Sequence, residues 1–120
     1  MKIQSLDYEV ECNEDKGLYL LESDSATGKT RLYHILDEMR RRGEPVAAYS
    51  YFDYEKEVPL SKISEDSVIV LIDRYDMFPG KLNDLIESFR HKALVLVDNK
   101  RSGSGIMNNA DGDAEITMFK

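Results

Sequence analysis

Residues Leu18–Leu36 read LYLLESDSATGKTRLYHIL, and the rest of the chain is organised around this stretch. Leu18, Tyr19, Leu20 and Leu21 make an apolar run of strand length. A polar loop follows and ends in Gly28-Lys29-Thr30. From about Lys29 to Arg41, Leu32, Ile35, Leu36 and Met39 recur at i, i+3, i+4 and i+7, which predicts a helix with one apolar face. Strand, loop and helix in that order suit a bound phosphate. Loop N–H groups can wrap the anion, and the helix N-terminus adds partial positive charge. Arg40-Arg41-Arg42 close the helix, where the macrodipole favours cations, and Gly43 follows as its cap. That arginine run reads as a solvated helix end or, alternatively, as a basic patch for a partner. His34 reads as a half-exposed surface residue.

The loop resembles the Walker A motif of the P-loop NTPases, G-x-x-x-x-G-K-[ST]. Here it is S-x-x-x-x-G-K-T, with Ser23 in the place of the first glycine and Glu22 and Asp24 beside it. The resemblance implies an ATP site with Mg²⁺ as cofactor. Ser23, Asp24, Ser25, Ala26, Thr27, Gly28, Lys29 and Thr30 would bind the nucleotide. Lys29 would reach the terminal phosphates as a point charge, and the Thr30 hydroxyl would hold Mg²⁺.

A second motif lies downstream. Val68–Asp73, VIVLID, is a continuous apolar run, as expected of a strand buried on both faces. It resembles Walker B, an apolar strand closing in an aspartate, so Asp73 would hold Mg²⁺ beside Thr30. Many P-loop ATPases carry a glutamate next, which polarises the attacking water. Arg74 stands there, and Asp76 is the nearest substitute. Ala93–Val97, ALVLV, reads as the next strand and ends in Asp98-Asn99-Lys100. In the ATPase branch this strand lies between the P-loop and Walker B strands, and a polar residue at its end senses the γ-phosphate. Asn99, or Asp98, fits by position. The GTPase reading fails because Ser102 stands where an aspartate would read guanine.

The remaining segments complete an α/β pattern. Tyr8 and Val10 fit a half-buried N-terminal strand, which would extend the sheet antiparallel at one edge. Val46–Phe52, VAAYSYF, reads as a strand. Its aromatic residues, with Tyr54, would either stack on a base or serve as core and sheet surface. The link from Lys56 to Asp66 allows a turn or two of helix. Leu82, Leu85, Ile86 and Phe89 predict a structural helix over about 81–91. Residues 99–113, rich in Gly, Ser, Asn and Asp, read as a flexible loop, and Ala114–Phe119 as a last strand. The sum is a single domain over 1–120. Its sheet would be three-layered α/β/α, P-loop-like and mainly parallel, with about five or six strands.

Composition narrows the partners. A net charge of −7 argues against nucleic acid and anionic membranes, which need clustered cations. The apolar fraction, 42%, is enough for one core in 120 residues. Cys12 is the only cysteine, so no disulfide forms within the chain, and a reducing, cytoplasmic setting is expected. No apolar run is long enough to span a membrane.

Two functions follow from the resemblance. One is an ATP- and Mg²⁺-binding minimal P-loop protein, a nucleoside triphosphatase if active, with Asp76 or Asn99 orienting water. The alternative is a catalytically inactive P-loop-fold protein acting as an interaction module, with a protein partner or a second copy of itself. Ser23, Glu22, Asp24 and Arg74 favour the alternative. A small-metabolite kinase would need a lid or acceptor motif that the sequence lacks.

Overall fold

The computed structural model describes residues 1–4, 7–21, 26–73, 82–98 and 110–119; over 26–30 and 118–119 it describes the backbone. Among the described residues, eight strands fall into two sheets. The larger has five parallel strands: β3 (Gly17–Leu21), β4 (Val46–Ser50), β5 (Ile69–Asp73), β6 (Leu94–Val97) and β7 (Gly112–Ala114). Their order across the sheet is β4-β5-β6-β3-β7. Strand β6 therefore lies between β3 and β5. Its four residues are all buried, as are the five of β4, so an apolar run rather than an alternation marks these strands.

Helices cover both faces. α1 (Ala26–Arg41) sends Leu32, Ile35, Leu36 and Met39 into one face, against Val46, Ala48, Ile69, Leu71, Leu94 and Leu96. α3 (Leu82–Arg90) sends Leu82, Ile86 and Phe89 into the other, against Leu18, Ala47, Tyr49, Val70, Ile72, Val95 and Val97. Both helical spacings read from the sequence thus mark buried stripes. α1 starts at Ala26, a turn earlier than expected: alanine is the strongest helix former, and one glycine inside a helix costs only about 1 kcal/mol. It stops at Gly43, whose φ of +93° suits glycine and lets the Glu44 N–H reach the Met39 carbonyl at 3.0 Å.

Three expectations change. β1 (Lys2–Gln4) and β2 (Glu9–Cys12) do not extend the main sheet. They form an antiparallel sheet of their own with β8 (Ile116–Phe119), because β7 already occupies the free side of β3. Val10 and Cys12 alternate inward onto the α1 side, and Glu9 and Glu11 point away. The second change is at Gly112 and Asp113, expected in the loop, which belong to β7; residues 99–109 lie outside the described residues.

The third concerns the strand at Val46, which ends at Ser50, where a short helix, α2 (Tyr51–Glu55), begins. The Ser50 hydroxyl accepts the Asp53 N–H at 3.2 Å, and the Asp53 carboxylate accepts the Ser50 N–H at 2.9 Å. This reciprocal cap turns the chain out of the sheet. A 3₁₀ turn at Leu60–Lys62 completes the crossover to β5.

Candidate functional site

The carboxyl ends of β3, β6, β5 and β4 converge where α1 begins. Ser50 is level with Asp73, and Ile72 with Val97. The Asp98 N–H donates to the Ile72 carbonyl at 2.9 Å, which carries Asp98 to the level of Asp73. Side chains alternate along a strand. Val46 and Ala48, Ile69 and Leu71, and Leu94 and Leu96 all pack on the α1 side. Two residues further along each strand stand Ser50, Asp73 and Asp98, so these face α1 as well. A polar row closes three apolar columns there. Ser50 and Asp98 are buried, at 3% and 1% exposure, and Asp73 is half-buried.

Of the residues expected in the site, Thr27, Gly28, Lys29 and Thr30 follow Ala26 in the first turns of α1. Asp73 closes β5. Ser23, Asp24, Ser25, Asp76 and Asn99 lie outside the described residues. Asp98, the alternative to Asn99, is the residue found in the polar row.

Beside Asp73 a cleft of about 780 Å³ opens between α1 and the crossover of α2 and the 3₁₀ turn. Its floor is an ionic network that links the two. Lys62 Nζ donates to Asp37 Oδ1 at 3.0 Å, to Asp53 Oδ2 at 3.1 Å and to the Tyr33 hydroxyl at 3.1 Å. Tyr33 in turn donates to Asp53 Oδ2 at 2.6 Å. The side chains of Lys62 and Asp37 are only 9% and 8% exposed. All three ammonium protons therefore have acceptors, which burial of that charge demands.

The ionisations follow from this packing. Burial pushes the Asp37 carboxyl up. Hydrogen bonding to Lys62 and its charge, with Arg40, outweigh that and hold it below the usual range. Burial also pushes Asp53 up, but Tyr33, the Ser50 N–H and Lys62 bring it below the ordinary value. For Lys62 burial acts downward, and its bonds to Tyr33, Asp37 and Asp53 raise it overall. Burial first, then the bond to Asp53, raises the Tyr33 phenol.

Sequence reading missed this network. The Ser50-x-x-Asp53 spacing was a signal for the cap. Tyr33 and Asp37 share a face of α1 at i, i+4, but nothing in the sequence links them to Asp53 and Lys62, which reach them only through the tertiary fold.

The Arg40-Arg41-Arg42 run is largely answered within the chain. Arg40 and Arg41 pair with Asp37, and Arg42 pairs with Asp7 and Glu38. His34 is exposed on the cleft rim, its ring edge-on to Tyr33. Among the described residues, no helix is long and apolar enough to cross a membrane, and no group of three or more His, Cys, Asp or Glu could hold a metal. Comparison of the chain with protein-family models, curated proteins and solved structures gives no match.

Proposed function

We propose that this chain binds Mg-ATP at the mouth formed by the β3–α1 loop and the ends of β5 and β6. In this reading the phosphates sit at the N-terminus of α1, whose first residues are Ala26–Thr30; Ser23–Ser25 lead into it, Lys29 neutralises the terminal phosphates, and Thr30 and Asp73 are the Mg²⁺ ligands. One observation carries it: the polar row Ser50, Asp73 and Asp98 closes an otherwise apolar sheet face where α1 begins. Ligands of open α/β sheets bind outside the carboxyl ends of the strands. The strand order, with β6 between β3 and β5, supports the same reading.

The donor set suits magnesium. A hydroxyl and a carboxylate are hard oxygen ligands, and Mg²⁺ is usually held by one or two carboxylates together with substrate phosphates. Bound there, the ion supplies charge neutralisation for phosphoryl transfer to water. Asp98, Asn99 or Asp76 orients the water, since Arg74 cannot accept its proton. The lone, buried Cys12 fits a reducing, cytoplasmic setting.

The test is calorimetric titration of the purified chain with Mg-ATP, beside Lys29→Ala. Micromolar binding that the variant loses is the expected result. No binding at millimolar ATP, with the protein folded, overturns the reading. That outcome would favour an inactive P-loop-like interaction module. An observation agrees with that second reading: Phe52, Tyr54 and Leu60 crowd large exposed apolar surface onto one crossover, at 56%, 45% and 37% exposure.

A further inference from the structure

The cleft between α1 and the crossover differs in charge from the rest of the chain. The protein carries a net −7. On the cleft walls Asp37 and Asp53 face four cations: Lys62, Arg40, Arg41 and Lys56. One carboxylate, Asp37, is shared by three of them, at 3.0 Å from Lys62, 3.1 Å from Arg40 and 3.0 Å from Arg41. Arg40 bonds it through Nε alone and Arg41 through one terminal nitrogen, so each guanidinium keeps further N–H donors. Lys56 is exposed and has no carboxylate partner among the described residues. Among the described lining residues, Asp73, at the end of the cleft that borders the sheet mouth, offsets part of this surplus.

Phe52, Val58 and Pro59 supply an apolar wall to the same cleft. Its volume, about 780 Å³, is that of a small-molecule site. The floor is already rigid, because every donor of Lys62 is engaged, so a ligand would meet a fixed surface.

We infer that this cleft is a binding site for a small organic anion, a phosphate monoester or a carboxylate, with an aromatic or apolar body. The anionic group sits against the unused N–H groups of Arg40 and Arg41 and against Lys56. The body lies on Phe52 and Pro59. Guanidinium groups favour this arrangement because they present planar, paired donors to an oxyanion. The inference needs no nucleotide at the β3–α1 loop, although the cleft shares Ser50 and Asp73 with the proposed mouth.

The experiment is amide chemical-shift mapping on the isotope-labelled full chain, titrated separately with phenyl phosphate, benzoate and phenol. Saturable shifts in residues 33–41 and 52–62 are expected with one or both anions, at a Kd of roughly 0.1–1 mM for ligands of this size. Which anion binds tighter tells phosphate from carboxylate. Phenol should bind at least about tenfold more weakly. Lys56→Glu changes an exposed side chain with no carboxylate partner among the described residues, so its spectrum should stay native while anion affinity falls about tenfold or more.

Four results overturn the proposal. They are no anion binding up to about 10 mM, shifts confined to residues around the β3–α1 loop, phenol binding as tightly as the anions, or unchanged affinity in a folded Lys56→Glu.

Discussion

The two faces of the five-stranded sheet are built alike and end differently. On the α3 side the strands stay apolar to their carboxyl ends, in Tyr49, Ile72 and Val97. On the α1 side the next residue of each strand, Ser50, Asp73 and Asp98, breaks the pattern. One step along the backbone separates a core position from a candidate site position. A buried polar row is costly to keep for stability alone, because apolar residues of similar shape often do as well or better. The difference marks where the apolar core of this face ends and where the proposed site would begin.

Substitutions can break or sharpen that contrast. The largest loss is expected off the sheet, in the ionic floor. Lys62→Met keeps the stem and removes the charge, leaving Asp37 and Asp53 short of a partner. Denaturant unfolding should show a loss of about 3–5 kcal/mol. Ile72→Ala, on the apolar face, should cost about 2–5 kcal/mol and leave any residual ligand affinity of the folded fraction unchanged. Ser50→Ala removes the cap of α2 and should cost about 1 kcal/mol by the same measurement. Asp73→Asn, adjacent to Ile72, keeps the side chain's shape and should cost less than Ile72→Ala, about 1 kcal/mol or less. It should nonetheless weaken Mg-dependent ATP binding at least about tenfold in calorimetry. If Asp73→Asn destabilised the protein as much as Ile72→Ala, the contrast between the faces would be structural and not functional.

The pH dependence bears on the same floor. The folded values of Asp37 and Asp53 lie below their unfolded ones. Their stabilisation is therefore complete above the unfolded carboxylate range and is lost as pH falls through the folded values. Lys62 is raised, so its contribution is complete below the unfolded lysine value and is lost as pH rises through the folded one. Thermal melts should show a plateau across neutral pH with losses at both extremes. In Lys62→Met the alkaline loss due to this lysine should vanish.

Much of the fold was legible because its signals are local. VIVLID and ALVLV are continuous apolar runs, and Leu32, Ile35, Leu36 and Met39 mark a helix by spacing alone. What stayed hidden depends on distance. β7, Gly112-Asp113-Ala114, has no apolar pattern and exists because β3 offers it an edge. Lys62 reads as one more surface lysine until Tyr33, Asp37 and Asp53 surround it. The cap at Ser50 was readable, but the aromatic run behind it argued for more strand.

The short joint at Glu115 has a consequence for how the chain acquires its shape. β7 ends at Ala114 in one sheet and β8 begins at Ile116 in the other. Asn13 fastens the joint from both sides, accepting the Glu115 N–H on its side chain at 3.0 Å and donating its own N–H to the Glu115 carbonyl at 3.3 Å. The N-terminal hairpin and the central strand β3 thus both wait for residues translated roughly a hundred positions later. Both sheets therefore depend on long-range pairing with the 112–119 segment, a topology that slows folding relative to local contacts.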